Sequence, residues 1–244
     1  MSDSPGRPAD DRRAGLPPSL VILAAGASAR LGSCKALAEL PGGCPLQRLL
    51  EAGASGSRQA GLELCGAPLV VTGAHHEAIT AALLALEERS GVDRAGDASG
   101  QPGAPGYPWP RAELLENTHW AAGRSGSVQC AARARPGRDL LISPVDVPLV
   151  PAPVFARLMT AWLEAGSPAR GWLAPRWRDA FGHPILIGRS LAHDLLGSDP
   201  QRPLKELRRE ASPLWSVPVE QREILDDLDT PADLAELLAR LAAS

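Results

Sequence analysis

Lysine is nearly missing from this chain. Of 25 basic residues in a 244-residue sequence, all but Lys35 and Lys205 are arginine. A compact ammonium is not interchangeable with a planar guanidinium, so a lysine kept in an arginine-biased chain points to a specific point-charge role. Cysteine is scarce as well. Positions 34, 44, 65 and 130 are scattered and form no C-x-x-C pair, which removes the common zinc and dithiol signatures. His75-His76 has no acidic or cysteine partner at ligand spacing, and adjacent residues point apart, so a solvated turn is expected there. No apolar run approaches the roughly 20 residues of a membrane span. Residues 1–18 lack the apolar core of an export signal and read as a disordered leader. With reduced thiols and no export signal, the expected setting is the cytoplasm. A net charge of −3 gives no reason to expect nucleic acid or an anionic membrane as partner.

What is present is an ordinary globular composition, 44% apolar and 22% charged, in a chain long enough to bury one large core. The pattern alternates. An apolar run at 20–23 is followed by a small-residue turn, then by a helical pattern at 45–61 with leucines at 46, 49 and 50. A second apolar run ends at Gly73, and a helix is expected over 77–88. Strand, helix, strand, helix is the rhythm of a mostly parallel sheet covered on both faces. Between 90 and 110 glycine and proline dominate, so a long surface insertion is expected. The pattern then resumes with a short amphipathic segment at 128–135, a strand at 140–142, a helix at 154–163, strands at 170–173 and from 185, a helix at 203–209 and a strand at 214–219. A closing helix starts at Pro231 with Thr230 as its cap. The expected organisation is a leader over 1–18 and a single domain over 19–244.

Four stretches carry chemistry. Residues 20–35 end a buried strand in Leu23, Ala24, Ala25 and Gly26, whose small side chains let an anion approach backbone N–H groups, with Arg30 and Lys35 following as cations. An ordinary strand-to-helix turn has the same composition, and the spacing matches neither the dinucleotide fingerprint nor the GxxxxGK[ST] loop. Asp146 stands just past a buried strand, where open α/β sheets place ligands. It is either a turn residue or a carboxylate for a cation such as the Mg²⁺ of a bound triphosphate. His183 precedes a proline and is either structural or a donor to an anionic substrate. The run Asp226-Asp227-Leu228-Asp229 holds more aspartates than a helix cap requires.

Together these stretches are similar to a known family. Leu23-Ala24-Ala25-Gly26-Ala27-Ser28-Ala29-Arg30-Leu31-Gly32 with Lys35 resembles L-A-A-G-x-S-x-R-x-G-x-x-K, the signature of MobA-like nucleotidyltransferases, among them molybdenum cofactor cytidylyltransferase and guanylyltransferase. In order along the chain, residues 117–127 resemble the family's N-x-x-W-x-x-G-x-x-x-S segment, Asp146-Val147-Pro148 its D-x-P, Gly182-His183-Pro184 its G-H-P, and residues 227–234 its D-x-D-T-P-x-D-L. The resemblance implies a single Rossmann-like domain in which a phosphorylated acceptor attacks the α-phosphorus of a nucleoside triphosphate and pyrophosphate leaves. It implies phosphate on Ala25-Gly26, charge neutralisation by Arg30 and Lys35, and Mg²⁺ on Asp146 with Asp229 completing its coordination. Gly73, Asn117, Ser125 and Ser127 are candidates for base, ribose or acceptor contacts, and His183 for the acceptor side. Ala25, rather than a second glycine, resembles the cytidylyl branch. That implies CTP and a molybdopterin acceptor, with a molybdenum hydroxylase as a possible partner. GTP, a different phosphorylated acceptor, and a non-catalytic nucleotide-binding accessory protein are the alternatives. The chain departs from the pattern at Leu31, where methionine is usual, at Gly126, where serine is frequent, at residues 197–202, which fit the family's glycine-aspartate loop poorly, and in the insertion.

Overall fold

The computed structural model describes residues 16–64, 66–89 and 111–243. The expected insertion at 90–110, Cys65 and nearly all of the expected leader lie outside these residues. Within them a single α/β domain forms around a mostly parallel eight-stranded sheet.

Strand β1 (Ser19–Ala24) is buried along its whole length, as a strand covered on both faces must be. Leu20, Ile22 and Ala24 join one apolar cluster, and Val21 and Leu23 the other, following the two-residue period of a strand. On one side β1 pairs in parallel with β2 (Leu69–Thr72), which in turn pairs with β3 (Glu113–Glu116). On its other side it pairs in parallel with β4 (Leu140–Pro144). Chain order therefore reverses between β1 and β4, and the loops leaving their carboxyl ends open a crevice of the kind in which such sheets bind ligands. Beyond β4 the sheet continues through β7 (Ile185–Ile187), antiparallel to β4, and β5 (Trp172–Trp177), which carries the short β6 (Ala180–Phe181) and pairs in parallel with β8 (Leu214–Pro218).

Helices α1 (Pro45–Gln59), α2 (His76–Arg89) and α4 (Ala152–Glu164) contribute to the apolar cluster on one face. Helices α3 (Arg124–Ala134), α5 (Arg189–Asp194) and α6 (Leu204–Arg209) contribute to the cluster on the other. Helix α7 (Pro231–Ala242) belongs to neither. Leu234, Leu237, Leu238 and Leu241 pack on Leu31, Ala38, Leu40, Leu149 and Leu228, a third small core that ties the carboxyl terminus to the loops after β1 and β4. The cap expected at Thr230 is present, with Asp233 completing a capping box. Among the described residues no helix is long and apolar enough to cross a membrane.

The structure differs from expectation in detail. Helix α3 begins at Arg124 rather than near 128, because the serines and glycine of 125–127 form its buried first turn instead of a loop. The six-residue α5 was not foreseen, being too short to show a helical period. The histidine pair is tied down rather than merely solvated: His76 Nδ1 lies 2.7 Å from Thr72 Oγ1 and His75 Nε2 lies 3.0 Å from the Ala27 carbonyl oxygen. At the start of β4, buried Asp139 accepts from the Trp162 indole N–H at 2.9 Å and from the Arg189 backbone N–H at 2.8 Å, pinning the strand to α4 and α5.

Helix α1 packs tightly on α4 at Gly56. A Cβ there would stand 2.5 Å from Phe155 Cβ and 2.7 Å from the Ala152 carbonyl oxygen. In a free helix interior Gly→Ala is favourable by roughly 0.5–1 kcal/mol, whereas overpacking against backbone costs about 1–3 kcal/mol. Gly56→Ala is therefore expected to destabilise the protein by about 1 kcal/mol or more, read as a lower urea midpoint; an unchanged or raised midpoint would contradict this packing.

Candidate active site

The loop after β1 is organised by Ser28. Its backbone is left-handed (φ 53°), its carbonyl accepts from the N–H groups of Leu31 and Gly32 at 3.0 Å each, and its hydroxyl accepts from the Lys35 N–H at 3.2 Å. This closes the chain into a compact turn and brings Lys35 back beside Ala24 and Gly26. Gly26 has nothing within 4 Å of where a Cβ would be, so its backbone borders open space. Across from it, Val145 and Val147 are buried and a turn closed by Val147 N–H on the Pro144 carbonyl leaves Asp146 facing the crevice. Leu23, Ala24, Gly26, Ser28, Lys35 and Asp146 line a cavity of about 90 Å³.

The carboxyl-terminal segment supplies the third wall. Leu228 is fully buried, and its N–H donates to the Asp146 carbonyl oxygen at 2.7 Å. Asp227 and Asp229, on either side of it, belong to the crevice. Lys35 Nζ donates to Asp229 Oδ1 at 2.6 Å and the Arg30 guanidinium to Asp229 Oδ2 at 2.5 Å. The Lys35 bond holds the Asp229 carboxyl below the usual carboxylate range, and the nearby Arg30 adds to the effect. The remaining aspartates of the run serve elsewhere: Asp226 accepts from Arg240 at 2.5 Å and Asp233 caps α7, accepting from the Asp229 and Thr230 N–H groups.

Asp146 is handled differently. One oxygen accepts from the Arg124 guanidinium at 3.1 Å, whereas the other, Oδ1, is buried without a hydrogen-bond partner among the described residues. Leaving such an acceptor dry costs roughly 1–3 kcal/mol, which a cation at that oxygen would recover. No group of three or more His, Cys, Asp or Glu close enough to hold a metal exists among the described residues.

His183 borders the same charges. The Ile224 carbonyl occupies the space a Cβ on Gly182 would need, and His183 N–H donates to that carbonyl at 3.1 Å, so the histidine rides on the segment that carries Asp227 and Asp229. Burial pushes its imidazole down to about 4, Arg124 pushes the same way and Asp146 opposes; at neutral pH the ring carries no charge.

A second cluster lies on the β2 side of β1. A Cβ on Gly73 would stand 2.5 Å from the Ala25 carbonyl and 2.6 Å from Trp120 Cβ, so glycine is what lets these meet. Buried Asn117 donates from Nδ2 to Ser127 Oγ at 3.1 Å and accepts the His119 N–H. Ser125 joins neither cluster and caps nothing: its hydroxyl donates to the Arg202 carbonyl, while Gln129 donates to the Ser198 carbonyl at 2.9 Å, so the loop at 198–202 lies over the start of α3.

The structure thus gathers Arg30, Lys35, Asp146, Asp229 and His183 around one crevice, sets Gly73 against Ala25, and joins Asn117 to Ser127. Sequence reasoning quoted Ser28 and Asp227 within motifs without giving them a role, and gave none to Arg124, which falls at an unspecified position of the 117–127 segment. Asp227 had a signal, being one aspartate more than a cap explains; Arg124, one arginine among many, had none.

Three comparisons bear on this geometry. A family model described as MobA-like NTP transferase domain matches residues 20–214. No curated protein gives a significant sequence match. Among solved structures, Rv0371c from Mycobacterium tuberculosis superposes with a TM-score of 0.61 at 22% identity, covering 92% of this chain and 98% of its own. A manganese complex of the same protein also matches, with a TM-score of 0.57 at 20% identity over 91% of this chain and 97% of its own. Molybdopterin-guanine dinucleotide biosynthesis protein A from Archaeoglobus fulgidus gives 0.60 at 18% identity over 93% and 100% of the two chains. The 2-C-methyl-D-erythritol 4-phosphate cytidylyltransferase from Thermus thermophilus gives 0.54 at 18% identity, with the same coverage. At these identities the likeness is one of fold.

Asp227 supplies a test of the electrostatics. Burial first, then the charges of Asp146 and Asp229, push its carboxyl above the usual range. The folded chain therefore holds this proton more tightly than the unfolded chain, so the ionised group costs stability above its folded pKa and the cost disappears as pH falls through it. Asp227→Asn is expected to raise the urea midpoint modestly near neutral pH, with the gap closing in acid. A gap that is absent at neutral pH, or that widens in acid, would contradict the cluster.

Proposed function

The chain belongs to the MobA-like NTP transferase domain family, and from that premise we propose that it transfers a nucleotidyl group, CMP from CTP, to a phosphorylated acceptor of the molybdopterin type in the cytoplasm. The observation that carries this reading is the unpartnered, buried Oδ1 of Asp146 facing a crevice whose opposite wall presents Lys35, Arg30 and the open backbone at Gly26.

In the proposed reaction an oxygen of the acceptor phosphate forms a bond to the α-phosphorus of the triphosphate, the bond from that phosphorus to the bridging oxygen breaks, and pyrophosphate departs with its electrons. No side chain need remove a proton, because a phosphate nucleophile is already ionised at neutral pH. The obstacle is repulsion between two polyanions, which preorganised donors lower. Residues 25 and 26 offer backbone N–H groups and open space to the triphosphate. Arg30 and Lys35 exchange the Asp229 carboxylate for the β- and γ-phosphates and stay with pyrophosphate as charge builds on it. Asp146 and, released from its cations, Asp229 would hold the divalent cation, Mg²⁺ in this reading, which would supply charge neutralisation to the reacting phosphates. His183, neutral and beside Asp146, offers a hydrogen bond on the acceptor side without adding charge. Gly73, which packs against Ala25, and the bonded pair Asn117 and Ser127 are assigned to the base and ribose, with Ser125 in the same first turn of α3 as Ser127. Ala25 stands where the resembling guanylyl branch carries a second glycine, and on that resemblance CTP is favoured over GTP.

The decisive measurement is pyrophosphate release from CTP, GTP and ATP with Mg²⁺ and molybdenum cofactor. Release is expected with CTP foremost. Asp146→Asn is expected to lower turnover by about 100-fold or more with an unchanged circular dichroism spectrum, and Ala25→Gly to shift preference toward GTP. Nucleotide binding without release from any of the three would leave the accessory-protein reading in its place. Full activity of Asp146→Asn would show the metal to be elsewhere.

A further inference from the structure

Arg124 falls at an unspecified position of the 117–127 segment, yet it takes part in the charge arrangement of the crevice. It stands in the first position of α3. Its side chain is 51% exposed and crosses to the 17%-exposed side chain of Asp146, taking one of its two oxygens at 3.1 Å. Its charge is also felt by His183 and Asp227. The other cations of the crevice, Arg30 and Lys35, are both held by Asp229, so Arg124 alone neutralises Asp146 among the side chains described.

We propose that Arg124 and a divalent cation compete for Asp146, and that Arg124, once displaced, becomes a ligand for the phosphate that arrives with the cation. The inference rests on Asp146 being the metal-holding carboxylate. Its physical basis is that a carboxylate flanked by a guanidinium binds a cation less tightly than a free one, because the two positive charges repel. The exposed arginine loses little on release, since its pair is largely solvent-screened. A guanidinium freed beside a bound cation then faces an anion with planar, two-pronged geometry suited to phosphate. Arg124 would thus link the two ligands. By linkage, phosphate must tighten cation binding by the same factor as the cation tightens phosphate binding.

Binding of Mn²⁺, followed by loss of the free-ion electron paramagnetic resonance signal, reads this without turnover. Arg124→Gln is expected to bind Mn²⁺ about twofold to fivefold more tightly than the wild type, and Arg124→Lys to lie between. Added inorganic phosphate is expected to tighten Mn²⁺ binding more in the wild type and in Arg124→Lys than in Arg124→Gln, where only Arg30 and Lys35 remain to meet it. A purely structural arginine would leave both the affinity and the phosphate coupling unchanged. Equal Mn²⁺ affinity in the wild type and Arg124→Gln would overturn the competition, and equal coupling would overturn the phosphate role, in both cases with Asp146→Asn still losing the ion. Wild-type Mn²⁺ binding by Asp146→Asn would overturn the metal assignment itself and this inference with it.

Discussion

The salt bridge between Lys35 and Asp229 joins residues 194 positions apart and is the interaction on which the crevice depends. Lys35 is 14% exposed, so its bond is poorly screened, whereas Arg30, 71% exposed on the same carboxylate, contributes little by comparison. Asp229 can be there only because α7 docks. Its leucines pack on Leu31, Leu40 and Leu149, and its capping box takes the Asp229 N–H as a further ligand of Asp233. The apolar contact brings the helix to the loop, and the cap aims the carboxylate. Removing either would leave a half-buried lysine without its counter-ion.

The sheet fixes the remaining distances. Because β1 and β4 are parallel neighbours with Leu23 opposite Pro144, the two loops begin at the same height and open toward each other. The Leu228 N–H on the Asp146 carbonyl then sets the third segment against both. Three loops from the start, middle and end of the chain converge, and none holds its geometry alone. A site assembled this way takes its spacing from the sheet that carries it, and fixed spacing is the condition for electrostatic preorganisation to lower a barrier.

How much of this was legible in sequence follows from the range of the forces involved. The buried runs at 20–23 and 140–142 announced their strands because burial on both faces leaves only apolar residues, and Thr230-Pro231 announced α7 because capping is local. The start of α3 was obscured, since Ser125, Gly126 and Ser127 are poor helix formers that tertiary packing holds in helical form. The motif resemblance placed Lys35, Asp146 and Asp229 near one another. It could not show that Asp229 is bonded to Lys35 and Arg30, because that depends on where a helix from the far end of the chain packs. Arg124 was invisible for the opposite reason: in a chain that uses arginine for nearly all its positive charge, one more guanidinium carries no signal.

The charge pairs of the crevice hold the fold together and also set the energetics of binding. Each cation that would meet a phosphate is already matched with a carboxylate, so a ligand gains only the difference between a new partner and an old one. For Arg30 and Arg124, whose existing pairs are solvent-screened, that difference favours a multiply charged phosphate. For Lys35 the existing pair is stronger, and Asp229 must find a new counter-charge when it is released. A triphosphate arriving with a divalent cation supplies both replacements at once: anion for the lysine, cation for the aspartate. Either alone would strand one of the two charges in a partly buried crevice. Under the proposed function, the arrangement would favour the metal–nucleotide complex over its separate components, without any group having to be built beyond those that already balance charge at this point of the folded chain.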